Sequence, residues 1–197
     1  MLLLVAVLVA GFVVGLAMGG SLRRLADLSF RWWPLALVGL VLQFLPTPGH
    51  GSAARAWGAG LLIASFAALT VFVAANIRVP GMPLLAAGFV LNIVAIAANG
   101  GMPVSDHALR VAYGSDYAAQ RRELVASGGA KHHLAGPSDP VRFLTDVVGI
   151  PGPVHLVISA GDALSFVGAA WVVAAATLGK ATHNVRAPDE DRDVGPY

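Results

Sequence analysis

Apolar residues gather into five long blocks, separated by short segments rich in glycine, proline and charge. The blocks cover about residues 1–20, 29–46, 56–77, 84–99 and 154–178. A transmembrane helix needs about 20 predominantly apolar residues, and each block approaches that length without sustained charge. The pattern predicts an all-α, polytopic membrane helix bundle of five transmembrane helices. The second block is the shortest, with its apolar centre over 32–45, and a re-entrant half-helix is the alternative there. Gly11, Gly15 and Gly19 recur every fourth residue, a smooth stripe that lets another helix approach closely.

Between the fourth and fifth blocks lies a polar stretch of about fifty residues, 100–153. Ser105 precedes a run ended by Gly114, and Ser115 precedes one ended by Gly128 and Gly129. Each is a serine cap, an acidic first turn and a glycine stop, predicting two short surface helices. Asp139-Pro140 opens a candidate third, which would carry Asp146. Residues 1–179 then form one bundle. The tail, 180–197, gathers Asp189, Glu190, Asp191 and Asp193 and reads as disordered.

Composition supports lipid as the main solvent. Of 197 residues, 56% are apolar and 12% charged, against roughly 25% charged in a soluble domain. The net charge of +2 forms no basic stripe interleaved with aromatics, so no nucleic-acid partner is expected. The absence of cysteine excludes disulfides, thiolate metal sites and a cysteine nucleophile. Arg23, Arg24, Arg31, Arg78, Lys180 and Arg186 mark alternate loops, whereas the basic residues of 100–153 are balanced by acidic ones. The positive-inside rule then places the chain in the cell membrane as a multi-pass protein. Its N-terminus lies outside, its C-terminus is cytoplasmic and the long loop is on the outer face.

The informative residues are polar ones inside apolar blocks, because an ionisable group there costs about 3 kcal/mol on insertion scales. In the fifth block His155, Ser159, Asp162 and Ser165 follow at spacings of four, three and three, which on a helix makes one wet stripe. The fourth block contributes Asn92 and Asn99 on one face, with Gly88 on the same stripe. Gln43 stands near the outer end of the second. Together they predict a polar core at the outer half of the bundle. Asn92 and Gln43 read as interhelical hydrogen-bond glue. Asp162 asks for a partner, a proton or a wet cavity. Asp146, sixteen residues earlier, precedes a proline turn that would fold it back over the fifth helix. A close carboxylate pair cannot readily hold two charges, so Asp146 and Asp162 are a candidate acid–base dyad. The alternative is that Asp146 caps a helix or pairs with Arg142 or Lys131. His132, His133 and His155 lack metal-ligand spacing, and no P-loop, dinucleotide or serine-elbow motif occurs. Neither a metal nor another cofactor is expected.

Four segments together carry a resemblance: Asn99-Gly100-Gly101-Met102-Pro103-Val104, Lys131-His132, Leu144-Thr145-Asp146 and Ser159-Ala160-Gly161-Asp162-Ala163-Leu164. They resemble an uncharacterised family of bacterial multi-spanning membrane proteins classed as a domain of unknown function. That resemblance implies a membrane protein and brings no activity. It adds Asn99, Gly100, Gly101 and His132 to the candidate polar core with Asn92, His155 and Ser159. The stretch 143–168 is also similar to the end of lipoprotein signal peptidase, an intramembrane aspartyl protease. There Asp146 and Asp162 would take the catalytic places, with Ser159 where that family has asparagine. Three functions follow: a non-enzymatic membrane component that binds another membrane protein or a lipidic or peptide ligand; an aspartyl hydrolase using Asp146 and Asp162; and a small proton-coupled transporter with Asp162 as its protonatable site.

Overall fold

The computed structural model describes residues 2–26, 28–47, 51–126 and 131–181. Expectations for the 182–197 tail, the turn at Pro48-Gly49 and the stop at Gly128-Gly129 lie outside them. The helices are α1 (Leu2–Ala17), α2 (Leu22–Ala26), α3 (Trp33–Phe44), α4 (Ser52–Ala75), α5 (Met82–Asn99), α6 (Asp106–Tyr113), α7 (Tyr117–Ala126) and α8 (Ala160–Thr177). Four short strands join them: β1 (Met102–Val104), β2 (His132–Leu134), β3 (Val148–Ile150) and β4 (Leu156–Ile158).

Among the described residues, three helices, α4, α5 and α8, are long and apolar enough to cross a membrane. The apolar helices α1 and α3 have 16 and 12 residues. At 1.5 Å per residue, α3 reaches only about 18 Å, short of a hydrocarbon core of about 30 Å. Three helices are therefore of spanning length, and two shorter apolar helices accompany them.

The five apolar helices pack as a row rather than a closed bundle. The order is α1, α8, α5, α4, α3, each packed mainly on its neighbours in that order. Small residues set the approach. Gly11 and Gly15 of α1 lie on Ala170 and Ala174 of α8, as the stripe predicts, while Gly19 faces nothing within 4 Å. Gly39 of α3 lies on Ser65 and Leu69, and Ser65 donates its hydroxyl to the Gly39 carbonyl at 2.7 Å. Gly88 of α5 and Gly161 of α8 meet backbone to backbone, and a Cβ on Gly161 would stand 2.7 Å from the Gly88 carbonyl. At one end of the row Arg24 reaches the Leu178 carbonyl, Ser21 N–H donates to Thr177, and the Asn76 side chain bonds the Arg31 backbone. That end therefore gathers Arg23, Arg24, Arg31 and Lys180.

The 100–159 segment forms a cap over the other end. β1 pairs in parallel with β2, Met102 opposite His132 and Val104 opposite Leu134. On its other edge β1 bridges Asp146: Asp146 N–H donates to Pro103 at 3.0 Å and Ser105 N–H donates to Asp146 at 2.9 Å. β3 and β4 form an antiparallel hairpin, and α6 lies on it so closely that a Cβ on Gly149 would meet the Ala108 carbonyl. Helices at 106–113 and 117–126 match the serine and glycine signals, with a tight turn, Gly114–Asp116, in place of a Ser115 cap.

Three expectations fail here. The strands overturn a purely all-α reading. At three residues each, and with Pro103 and Gly149 inside two of them, they show no period-two signal. Asp146 sits on the β1 bridge and not on a third short helix, because only a single turn, Arg142–Leu144, forms after Asp139-Pro140. The last helix begins at Ala160, not Val154, because Leu156–Ile158 is drawn into the hairpin and Ser159 caps the helix.

Replacing Gly161 with valine drives a side chain into the Gly88 backbone and the Asn92 amide. The expected cost is about 1–3 kcal/mol, read as a lower thermal midpoint of the purified protein. Gly60, which faces open space, serves as the control. Gly60→Ala leaves the midpoint unchanged or higher, and equal losses in the two variants contradict the packing.

Candidate functional site

The N-terminus of α8 is fixed by a capping box. Ser159 Oγ accepts from Asp162 N–H at 3.0 Å, and Asp162 Oδ2 accepts from Ser159 N–H at 3.0 Å. An acidic group in a first helical turn is favoured by the orphan N–H groups and the positive end of the helix dipole. Across the Gly88–Gly161 contact, Asn92 completes the set. Its Nδ2 donates to Asp162 Oδ1 at 2.8 Å, and its Oδ1 accepts from Ser159 Oγ at 2.9 Å. Asn92 and Ser159 are 0 and 1% exposed. Asp162 thus has both oxygens engaged, and it stands in the first turn rather than deep along the helix.

Asp146 is placed differently. The β1 bridge locks its backbone, and in this register the side chains of Asp146, Val104, Met102 and His132 project to one face. Its side chain is 8% exposed. Its carboxyl accepts no hydrogen bond among the described residues, and its nearest ionisable neighbour is His132 Nε2 at 3.9 Å from Oδ2, beyond hydrogen-bond range. Burial pushes the Asp146 carboxyl well above the usual carboxylate range, and the nearby Asp162 charge pushes the same way. Burial lowers the His132 imidazole. The Asp162 charge acts in the opposite direction, and Lys131 and His133 add to the lowering. Close to half of the His132 side chain is accessible, and it forms part of the wall of both cavities described next.

A cavity of about 320 Å³ lies between the helix row and the cap. Asp146 and His132 form its roof and Asp162 and Asn92 one side, with apolar walls from Phe44, Phe66 and Phe166. A second cavity, about 230 Å³, lies under α6 and α7 beside Tyr113 and Gln120. The two share His132, Asp146, Leu156 and Val157 as a common wall.

Neither cation expected as a partner reaches Asp146. Lys131 donates to the Gln43 and Leu45 carbonyls, where an ammonium complements the negative C-terminal end of α3. Arg142 donates to the Pro137 and Asp139 carbonyls. Of the sequence candidates, Gln43, Asn92, Asp162, His132 and Asp146 line the cavity, and Ser159 bonds to Asn92 beside it. Asn99, Gly100, Gly101, His155, His133 and Ser165 do not. Asn99 turns back to the Ala95 carbonyl at 2.7 Å, leaving its buried Oδ1 without a partner. Gly100 and Gly101, at φ 65° and 147°, turn the chain from α5 into β1. His155 stacks on Tyr113 at 5.8 Å and takes no part in the helix stripe. His133 points to Asp139, at 3.4 Å. Ser165 donates to the Gly161 carbonyl of its own helix. The aromatic walls and the Lys131 tether escaped sequence reading.

Fold and site define a row of apolar helices, three of spanning length, with a mixed helix and strand cap over a partly polar cavity. The chain belongs to the family of unknown function DUF5317, whose model matches residues 27–174. The match takes in every residue named around the cavity and leaves out α1. No curated protein and no solved structure matches the chain.

Two outcomes follow. Asn92→Leu strips Asp162 and Ser159 of a buried partner, at a cost of about 1–3 kcal/mol, seen as a lower denaturation midpoint. The second concerns pH. Because the folded Asp146 carboxyl titrates above its unfolded value, its contribution is fully present below the unfolded value. It is lost as pH rises through the folded one. The wild-type midpoint should therefore fall relative to Asp146→Asn as pH rises from the ordinary carboxylate range, and parallel curves refute the assignment.

Proposed function

We propose that this chain is a multi-spanning, non-enzymatic membrane component whose outer-end cavity binds an amphiphilic ligand. The observation that carries the reading is an apolar-walled cavity whose roof holds a buried carboxyl with no hydrogen-bond partner among the described residues. An unpaired buried carboxyl lowers stability, and the β1 bridge holds Asp146 in place through its backbone alone, so its side chain has no structural task. Asp162 has one, as cap and helix glue. This division favours binding over hydrolysis, because an aspartyl dyad needs both carboxyls free to share a water. The route in runs sideways. Phe44 of α3 and Phe166 of α8 line the same cavity, although α3 packs on α4 and α8 packs on α5 and α1. Large apolar side chains face outward on all five helices, among them Val13, Val41, Val71, Val90 and Trp171, as lipid contact requires. The end bearing Arg23, Arg24, Arg31 and Lys180 is then cytoplasmic and the cap lies outside.

Aspartyl hydrolysis is the second reading, favoured by the placement of Asp146 and Asp162 on one cavity. It requires that Asp146→Asn and Asp162→Asn each abolish turnover while the protein still folds.

The cysteine-free chain suits a labelling test. In intact cells an impermeant maleimide should label Arg122→Cys, and should label Lys180→Cys only after permeabilisation. Ligand binding is tested with Val157→Trp, which fills the wall common to both cavities. Native mass spectrometry of wild type released from membranes should show a bound amphiphile that Val157→Trp lacks. Wild type without one, or the same occupancy in both, contradicts the reading.

A further inference from the structure

Resting on the binding reading above, we infer that the cavity takes an amphiphilic organic cation. Its ammonium would lie between Asp146 and Asp162, and its chain among Phe44, Phe66 and Phe166.

The charge inventory carries the inference. The titratable groups facing Asp146 are His132 from β2, Lys131 just before it, Asp162 from α8 and Tyr113 from α6. Of these, Lys131 is the one permanent cation, and its ammonium keeps its charge while it donates to the α3 carbonyls and not to Asp146. Burial holds His132 towards its neutral form. What remains is acidic. Asp162 is fixed by donors that are themselves neutral, and Asp146 faces the cavity with nothing donated to it among the described residues. An anionic head group would meet the Asp162 carboxylate and the negative end of α3. A neutral head group would carry no charge to hold Asp146 ionised. An ammonium would supply the missing donor to Asp146, and aromatic faces add attraction for a cation held over them. Three phenylalanines and a volume of about 320 Å³ exceed what a bare inorganic cation needs and suit a short alkyl chain.

The exchange balances in protons. Below the Asp146 titration the free site holds that residue as the carboxylic acid. The ligand enters as R–NH3+, the Asp146 O–H bond breaks, its proton goes to solvent, and the ammonium pairs with the carboxylate that remains. Binding thus swaps one proton for one organic cation. Its apparent affinity climbs about tenfold per pH unit until Asp146 is ionised in the free protein, then levels off.

The test uses the full chain in a neutral maltoside detergent, with 1-octylamine, 1-octanol and octanoate as matched probes. Titration calorimetry in two buffers of different ionisation heat counts the protons. The expected result is octylamine binding at least tenfold tighter than octanol, with about one proton released below the Asp146 titration. Asp146→Asn releases no proton when octylamine is added, and an unchanged circular dichroism spectrum shows that the variant folds. Should that variant fail to fold, the wild-type proton count and its pH dependence decide alone. Equal binding of octylamine and octanol, preference for octanoate, or amine binding without proton release overturns the cation assignment and leaves the binding cavity standing. Failure of all three probes to bind overturns the cavity reading itself.

Discussion

The structure turns on one contact, where Gly88 and Gly161 let the backbones of α5 and α8 touch beside the first turn of α8. Only at that separation does the Asn92 amide reach both Ser159 and Asp162. The reach decides three things together. It starts α8 at Ala160 and sends the residues before it into the hairpin. It satisfies a carboxylate at the end of an apolar helix with neutral donors. It also places that carboxylate near Asp146, where its charge adds to the burial that already disfavours ionisation of a second acid. A side chain at either glycine would undo all three.

The cap is held as economically. β1 is its centre, bonded to β2 on one edge and to Asp146 on the other. Because side chains alternate along strands, this register turns His132 and Asp146 to the cavity and His133 away from it. Lys131 then ties the start of β2 to the C-terminal carbonyls of α3. The otherwise thinly packed end of α3 is thereby fixed against the cap. Two aspartates that look equivalent in the sequence thus differ in role. Asp162 is consumed by structure, and Asp146 is held by its backbone with its carboxyl left to the cavity.

Much of this could be read from residues alone, for identifiable reasons. Long apolar blocks, small-residue stripes and serine–glycine brackets reveal helices because their signals span many residues. Gly11, Gly15, Gly88 and Asn92 all lie at helix contacts, on the faces where helical periodicity groups them. Failures occurred where structure is short or paired over distance. Three-residue strands have no periodicity, so β1 to β4 and the bridge at Asp146 went unforeseen. The apolar run Val154 to Ile158 extends the following helix by pattern, and only its pairing with Val148–Ile150 removes His155 from the stripe. Ser159 and Asp162 sit three apart with the spacing of a capping box, and reading them as one would have placed the helix start correctly. Lys131 could not be assigned, because its acceptors are carbonyls 88 and 86 residues away, and a carbonyl carries no side-chain signature.

The central claim is that Asp146 is a neutral acid facing the cavity while Asp162 is engaged as an acceptor at the helix start. Infrared difference spectroscopy of the folded protein, at a pH just above the ordinary carboxylate range, tests it most directly, because a protonated carboxyl has a carbonyl stretch that a carboxylate lacks. The account predicts such a band in wild type, its loss in Asp146→Asn and its persistence in variants of the exposed acids. A wild-type spectrum with no protonated carboxyl, or a band unaffected by Asp146→Asn, would contradict it.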